Sequence, residues 1–168
     1  MNYFINRSNN LTNNSDIKSK NIDAKVTKEK EYALETKIRD EFFNNFNAFV
    51  KDTKETVNTK ETKIGNRRID LISLKSDGEI RIWEFKKKAD NSTIGQTLNY
   101  IALKRKQTSF KRKVSGVIAA FEFDDDLKTT VNIMSLPITL FELPDYLKKA
   151  GATLKNAKSL KKPKIIKT

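Results

Sequence analysis

The alternation of apolar and polar residues predicts a β-hairpin near the middle of the chain. Residues 68–74 (RIDLISL) and 80–86 (IRIWEFK) both alternate, as is typical of strands with one buried face. Asp77-Gly78 lies between them, and this pair favours a tight reversal because glycine tolerates a positive φ. We therefore expect two antiparallel strands that belong to a half-buried sheet.

Apolar residues that recur every three or four positions predict a helix on each side of the hairpin. The first helix is expected from about residue 27 to residue 50, and the second from about 94 to 106. The loop before the second helix, residues 89–93, offers several N-cap residues. The apolar face of the first helix carries Leu34, Ile38, Phe42, Phe46 and Phe49, opposite the charged residues Lys30, Lys37, Arg39 and Asp40.

Shorter patterns predict the remaining strands. Weak alternation over residues 56–64 indicates a first strand, and the nearly continuous apolar run 114–123 indicates a central strand buried on both faces. Residues 131–134 and 138–143 are expected to form closing strands, and residues 146–150 a short helix. The order helix, strand, hairpin, helix, strand predicts an α/β fold with a mixed central sheet flanked by helices.

Composition divides the chain into three regions. Residues 1–26 are rich in Asn, Ser, Lys and Asp, and we expect them to form a flexible arm. Residues 27–145 are expected to form one domain. Residues 146–168 contain eight lysines and no acidic residue, which predicts a basic tail.

The chain is strongly basic, with 34 Lys and Arg residues against 21 Asp and Glu residues and a formal net charge of +13. This balance favours a polyanionic partner, of which nucleic acid is the commonest. The sequence contains no histidine, which excludes phosphodiester chemistry that depends on that residue. A hydrolase of this composition must use carboxylates, lysines and a metal ion.

The sequence also indicates the cellular compartment. It contains no cysteine, which excludes disulfides and Cys-ligated zinc and agrees with a reducing compartment. No apolar run approaches the length of a membrane span, and the first residues lack the apolar core of a signal peptide. We therefore expect an intracellular protein that does not enter a membrane.

Two carboxylates and a lysine are predicted to meet at one end of the hairpin. Glu84 and Lys86 share a strand face because side chains alternate, and antiparallel pairing brings Asp70 toward them. Such a set can hold Mg²⁺, which prefers carboxylate oxygens, water and phosphate, beside a lysine that orients water or stabilises developing charge. The alternative is a cross-strand ion pair at the sheet edge.

Two helices offer further candidates for this site. Gln96 and Tyr100 lie four residues apart on the second helix, where they either face a ligand at the end of the sheet or are ordinary polar residues of an interface. Glu31 and Glu35 border the apolar face of the first helix. Either one can reach the site, and the alternative is that both are solvated.

Two charged runs elsewhere are weaker candidates. Residues 124–126 are three adjacent acids, but neighbours in a strand alternate faces, and acids at this place favour the start of a short helix. A basic cluster surrounds Phe110 and is either a phosphate-binding patch or a solvated run. Its members are Lys104, Arg105, Lys106, Lys111, Arg112 and Lys113.

Over roughly residues 28–143 these pieces resemble the PD-(D/E)xK nuclease superfamily. The matching motifs are Asp70, then Glu84-Phe85-Lys86 fourteen residues on, then Gln96 to Tyr100 as Q-x-x-x-Y. Ile69 stands where the motif has proline, a variation that the family tolerates. The RIDLI strand and the helix that carries Gln96 are most similar to the RecB-type and mismatch or flap endonuclease branches. The resemblance implies a restriction-endonuclease-like αβββαβ core.

The resemblance further implies a Mg²⁺-dependent endodeoxyribonuclease that hydrolyses phosphodiester bonds in DNA, with Mn²⁺ able to substitute. Lys86 would position or activate the water, and Gln96 and Tyr100 would orient DNA or the lysine. The implied catalytic residues are Asp70, Glu84, Lys86, Gln96 and Glu35 (or Glu31), and the implied metal ligands are Asp70, Glu84 and the Phe85 carbonyl. The expected DNA contacts are Tyr100, Lys87, Lys88, Lys104, Arg105, Lys111, Arg112 and Lys113.

A homodimer is expected, because one small domain that cuts both strands usually needs two copies. Neither a membrane nor a small-molecule cofactor is expected as a partner. Two other functions remain open from the sequence. One is a non-catalytic DNA-binding module of the same fold, and the other is a basic structural or ribosome-associated protein in which the Asp70, Glu84 and Lys86 trio is a coincidence.

Overall fold

The computed structural model describes the backbone of residues 12–50, 54–148 and 165–166. Side chains are described for residues 25–27, 29–30, 33–50 and 54–148. The chain divides into two compact units, Met1–Leu34 and Glu35–Thr168, and the sheet belongs to the second. No helix within the described ranges is long and apolar enough to cross a membrane.

Four α-helices and six strands make up the described chain, with a short 3₁₀ helix at Asp145–Lys148. The helices are α1 (Thr12–Asn44), α2 (Phe46–Phe49), α3 (Asn91–Gln107) and α4 (Asp125–Ile133). The strands are β1 (Thr56–Ile64), β2 (Arg67–Leu74), β3 (Ile80–Ala89), β4 (Val114–Phe123), β5 (Ile138–Glu142) and β6 (Ile165–Ile166).

The strands form one mixed sheet in the order β1-β2-β3-β4-β5-β6. The β1-β2 and β2-β3 pairs are antiparallel, as expected for a hairpin preceded by a further strand. The β3-β4 and β4-β5 pairs are parallel, with α3 and α4 as the connecting helices, and β6 is antiparallel to β5. The predicted α/β fold with an αβββαβ order is confirmed.

Strand β3 is buried on both faces, so the prediction of a half-buried hairpin is wrong for this strand. Ile82 and Trp83 point to opposite faces, and both are fully buried. The ring of Phe42, from α1, lies 5.1 Å from that of Trp83 and 5.2 Å from that of Phe85. Alternation along the sequence was misleading because the residues between the aliphatic positions of β3 include these two large aromatics, which need cover as well.

The predicted apolar face of the first helix is confirmed in α1 and α2. Ile38, Phe42, Phe46 and Phe49 are all buried, and the Phe42 and Phe49 rings stack at a centroid distance of 4.7 Å. Aromatic side chains of this size contribute a large share of a core's buried area. This packing holds the end of α1 against the face of β3 opposite Glu84.

A buried polar network joins β2 to β3 beside the aromatic core. The Trp83 Nε1–H donates to Ser73 Oγ at 2.7 Å, and the Ser73 hydroxyl donates to the Glu55 carboxylate. The second oxygen of Glu55 accepts from Arg81 Nη1 at 2.9 Å. Because buried polar groups are costly when unpaired, this network favours the Ser73–Arg81 register over any shifted one.

Helix α3 lies very close to β4. A Cβ atom added to Gly116 would collide with Cγ2 of Thr97, so glycine allows the close approach. The helix begins at the predicted loop, where the Asp90 side chain accepts from the N–H groups of Ser92 and Thr93 in a capping box. Glycine and cap together fix where the first turns of α3 lie over the sheet.

The structure corrects the prediction of a strand at residues 131–134. Helix α4 continues through Ile133, with Leu127 and Val131, four residues apart, as its buried positions. Ile133 and Met134 are exposed, at 75% and 65%. The prediction of a strand is wrong because Asn132, Ile133 and Met134 are exposed, and only Val131 packs against the core. Residues 138–142 form the expected closing strand, β5.

The two ends of the chain also differ from the expected pattern. Helix α1 begins at Thr12, within the stretch predicted as a flexible arm. Apolar periodicity did not predict this part of the helix, because periodicity detects only helices with an apolar face. Residues 165–166, within the predicted basic tail, form β6, and the helix predicted at 146–150 is the 3₁₀ turn. Residues 1–11 and 149–164 lie outside the described residues.

Candidate active site

The candidate site lies where β2 and β3 separate. Leu71 and Trp83 are the last paired residues of this hairpin, and Asp70 and Glu84 are the next residue on each strand. Beyond this point β2 pairs with β1, while β3 continues to Ala89 and pairs with β4. A fork therefore opens between the two strands at the position of the two carboxylates.

Two carboxylates bind backbone N–H groups along the open edge of β3. The Phe85 N–H donates to Asp70 Oδ2 at 2.9 Å, and the Lys87 N–H donates to Glu35 Oε1 at 3.3 Å. The N–H and C=O groups of one residue point to the same side of a strand, so the Phe85 carbonyl also faces this edge. The fork thus brings together Asp70, Glu35 and the backbone of Phe85.

Glu84 has one satisfied and one unsatisfied oxygen. Its Oε1 lies 2.9 Å from Lys86 Nζ and accepts from Gln96 Nε2 at 2.7 Å. Its Oε2 is buried and has no hydrogen-bond partner among the described residues. Glu84 as a whole is 2% exposed. A buried carboxylate oxygen without a partner is costly, so this atom is a natural position for a cation.

Burial raises the pKa values of both carboxyl groups at the fork, and the charge of Asp70 raises that of Glu84 further. Burial raises the pKa of Asp70, although the hydrogen bond from the Phe85 N–H and the charge of Lys86 oppose the shift. Burial and, next, the charge of Asp70 raise the pKa of Glu84 to about 8. A bound cation would stabilise the ionised forms of these two desolvated acids.

Lys86 remains a cation in this environment. Burial alone would lower its pKa, but the carboxylates of Glu84, Glu35 and Asp70 outweigh that effect and raise it. Its Nζ lies 3.7 Å from Glu35 Oε2. The structure therefore places Glu35 within the group, while the side chain of Glu31 lies outside the described residues.

Gln96 and Tyr100 reach the site from α3. The Gln96 amide donates both to Glu84 and to the Tyr100 hydroxyl, the latter at 3.1 Å. Tyr100 is 4% exposed, and burial raises its pKa. Both residues therefore lie close to Glu84, and Gln96 holds the carboxylate in place.

The donor atoms present suit a hard divalent cation. No three acidic side chains within the described ranges lie close enough together to form a metal site by themselves. The two carboxylates of Asp70 and Glu84 with one backbone carbonyl form a sparse oxygen set of the kind that Mg²⁺ uses, since this ion keeps several waters and binds substrate phosphate. The unsatisfied Glu84 Oε2 agrees with such a ligand set.

The structure brings only part of the predicted DNA-contact set near the fork. Lys87 and Lys88 are exposed on β3, and Lys88 forms an ion pair with Asp124 at 2.6 Å. The basic cluster lies around the other end of α3, where Arg105 donates to the Val114 carbonyl at 3.0 Å and Lys113 lies 3.1 Å from Glu79. Lys104, Lys111 and Arg112 carry no ion pair to a described acid.

Sequence analysis placed Arg39 on the solvated side of the first helix, but the residue is 5% exposed. Its guanidinium contacts Glu61 at 3.0 Å and lowers the pKa of Asp70, against the larger effect of burial. The missed signal is its position four residues after Glu35, which places both residues on the same helix face.

Comparison with known proteins adds evidence on the fold. No protein-family model matches the sequence, and no curated protein matches it. A repair endonuclease from Pyrococcus abyssi is similar to 61% of the chain at 19% identity, with a TM-score of 0.52. EndoMS in its apo form matches 66% of the chain at 22% identity, with a TM-score of 0.53. EndoMS in complex with dsDNA matches 62% of the chain at 22% identity, with a TM-score of 0.51.

The matches cover 43% of the Pyrococcus abyssi structure, 47% of apo EndoMS and 42% of EndoMS in its DNA complex. The chain therefore spans less than half the length of these structures. The matched region of the chain shares its fold with these endonuclease structures.

Proposed function

We propose that the chain is a metal-dependent DNA endonuclease of the PD-(D/E)xK type that hydrolyses phosphodiester bonds. The observation that carries the proposal is the buried, unpartnered Oε2 of Glu84 at a fork that also holds Asp70 and Lys86. A cross-strand ion pair at a solvated edge, the alternative from sequence, would leave no carboxylate oxygen buried and unsatisfied. The shared fold with endonuclease structures is consistent with this chemistry.

In this proposal Asp70, Glu84 and the Phe85 carbonyl hold Mg²⁺ or Mn²⁺. The ion supplies charge neutralisation at the scissile phosphate and a more acidic water. Gln96 fixes the orientation of the Glu84 carboxylate through its 2.7 Å hydrogen bond. Glu35 fixes the edge of β3 through the Lys87 N–H and contributes negative charge beside Lys86.

Lys86 acts as a hydrogen-bond donor and a positive charge. Its pKa is raised by the surrounding carboxylates, so the ammonium form persists at neutral pH. An ammonium group can orient the attacking water and stabilise the negative charge that develops on the phosphate. The raised pKa therefore supports positioning and charge stabilisation over proton abstraction by this lysine.

The test is cleavage of a panel of DNA forms: supercoiled, linear duplex, single-stranded, flapped and four-way. Each form is incubated with the protein and Mg²⁺ or Mn²⁺. We expect at least one form to be cut by the wild type and by a Lys106→Ala control, which removes an exposed lysine in the last turn of α3, ten residues from Gln96. Asp70→Asn and Lys86→Ala should each reduce the rate by at least about a hundredfold while the circular dichroism spectrum stays unchanged.

Failure of the wild type to cut any form would contradict the proposal. If DNA binding is intact and Asp70→Asn does not change it, the chain is instead a non-catalytic DNA-binding module.

We also propose that the active form is a homodimer, since one site per chain cuts both strands most simply as a pair. Analytical ultracentrifugation at assay concentrations tests this, and a monomer that makes double-strand breaks in one binding event would contradict it.

A further inference from the structure

A row of polar side chains runs along α3 away from the candidate site. Gln96, Tyr100 and Lys104 follow one another at four-residue steps, so they share one face of the helix. Gln96 contacts Glu84 at the near end of this row, and Lys104 lines a surface cleft at its far end. The row therefore connects the candidate site to the cleft.

The cleft has a volume of about 230 Å³ and lies between β1, the hairpin and the end of α3. Its floor is apolar and consists of Ile72, Leu74 and Ile80. Polar residues of β1 form one rim, and Lys104 and Arg112 form the other. An apolar floor under two cations suits a ligand that combines a flat apolar ring with an anionic group.

The cleft lies on the same sheet face as the candidate site. Ile72 follows Asp70 by two residues, and Ile80 precedes Glu84 by four, so all four side chains share a face by alternation. Four residues of strand span about 13 Å. A nucleic-acid strand whose backbone passes Glu84 can therefore reach the cleft within a few nucleotides.

The two cations at the rim are not neutralised by any acid that the structure describes. The Lys104 ammonium donates to the neutral amide oxygen of Gln107 at 2.9 Å, and Arg112 forms no ion pair within the described part of the chain. By contrast, Lys113, the residue after Arg112, contacts the Glu79 carboxylate at 3.1 Å. Unneutralised cations beside an apolar surface favour a phosphate with an attached base over an apolar ligand.

An exposed aromatic ring lies next to these cations in the sequence. Phe110 is 74% exposed and has a φ of 59°, as part of a loop in which Ser109 also has a positive φ. Left-handed backbone is uncommon for such a residue, so the loop holds the ring outward at a cost in conformational energy. Aromatic faces of this kind stack on unpaired bases.

From these observations we infer that the cleft binds an unpaired nucleotide of single-stranded DNA, with the base over Ile72, Leu74 and Ile80 and the phosphate at Lys104 and Arg112. A paired base is held within the duplex and cannot enter a cleft of this size. The inference deepens the proposed function and rests on it, because the occupant is taken to belong to the strand that is cut.

The test measures binding in EDTA, so that no cleavage occurs. A fluorescein-labelled oligothymidylate is titrated with the wild type, with the Lys104→Gln/Arg112→Gln double variant, and with a Lys106→Gln/Lys111→Gln control. The control removes the same charge from the same region, but its residues do not line the cleft. Circular dichroism confirms that each variant is folded.

We expect the cleft variant to bind oligothymidylate at least about tenfold more weakly than the control. The slope of log affinity against log salt should fall by about 1.4, as two lost phosphate contacts on a single strand predict. The two variants should bind a duplex of equal length within about threefold of each other. The wild type should also bind an abasic oligonucleotide more weakly than oligothymidylate, because the floor then has no base to contact.

Equal losses in the cleft variant and the control, or equal wild-type binding of abasic and normal strands, would overturn the inference. The outcome is separable from the proposed function because cleavage plays no part in it. If the protein cuts DNA but the two variants bind oligothymidylate equally, only the inference about the cleft is contradicted. If the protein never cuts DNA but the cleft variant binds oligothymidylate more weakly than the control, the cleft is a binding site and the nuclease proposal is contradicted.

Discussion

The Gln96 side chain donates a hydrogen bond of 2.7 Å to Oε1 of Glu84 and so links α3 to the strand that carries the candidate metal ligand. The same oxygen accepts from Lys86, which leaves Oε2 directed to a buried position without a partner among the residues that the structure describes. Gln96 thus fixes which oxygen of Glu84 remains available. This makes it a positioning residue, whose effect on cleavage passes through Glu84.

Removal of this hydrogen bond should weaken the metal site more than the fold. We expect Gln96→Ala to lower Mn²⁺ affinity about 10- to 100-fold, the usual cost of losing a group that orients a ligand. Cleavage at limiting Mn²⁺ should fall in parallel and recover in part at high Mn²⁺. The matched control is Gln107→Ala on the same helix, where the amide oxygen accepts from Lys104. Equal Mn²⁺ titrations for both variants would contradict the positioning role.

The close approach of α3 to β4 predicts opposite effects for two glycines. Gly116→Ala should destabilise the fold by roughly 1–3 kcal/mol, because the new methyl group collides with Thr97 and pushes the helix away. Gly95→Ala, on the exposed side of the same helix with nothing within 4 Å, should stabilise by roughly 0.5–1 kcal/mol. Urea unfolding of both variants measures the difference. A neutral Gly116→Ala would show that the helix is not held at this distance.

The buried carboxylate of Glu79 predicts a loss of stability in acid. Burial alone would raise its pKa, but hydrogen bonds from Ser115, Lys75 and Lys113 lower it to about 2. The folded pKa is below the unfolded value near 4.5, so the stabilisation is fully present above about pH 4.5. It is lost as the pH falls from there toward 2. This pKa difference contributes at most about 3 kcal/mol to the free energy of unfolding. The contribution is smaller in practice because Lys113 is exposed to solvent.

We therefore expect the wild-type free energy of unfolding to fall between pH 4.5 and pH 2, and the fall to be smaller in Glu79→Gln. That variant should also be less stable at pH 7. The control is Glu122→Gln, which changes an exposed acid of the same sheet. Parallel pH curves for wild type and Glu79→Gln would contradict the assignment.

Sequence predicted which side chains meet at the fork better than it predicted the packing around them. Asp70, Glu84 and Lys86 could be placed together because strand alternation and one tight turn fix their relative positions within a short segment. Glu35 could not be separated from Glu31 in this way, because the choice depends on how α1 lies against the edge of β3. That placement is set by Phe42 on Trp83 and Phe85, a long-range contact.

The missed features share one physical cause. Arg39 is buried although it is charged, since it pairs with Glu61, 22 residues further along the chain, and its spacing from Glu35 indicates a shared helix face but not this burial. Residues 131–134 were predicted as a strand because apolar composition does not show which residues face solvent. The fork between β2 and β3, which creates the site, likewise follows from where two strands stop pairing, and no single residue signals it.

The central claim is that Asp70 and Glu84 together hold one divalent cation, and direct binding of Mn²⁺ tests it most closely. Isothermal titration calorimetry compares wild type, Asp70→Asn, Glu84→Gln and the control Asp124→Asn, which removes an acid of the 124–126 run that is paired with Lys88. The account predicts saturable binding to the wild type and to the control, and its loss in the other two variants. Binding unaffected by Asp70→Asn and Glu84→Gln, or absent from the wild type, would contradict it.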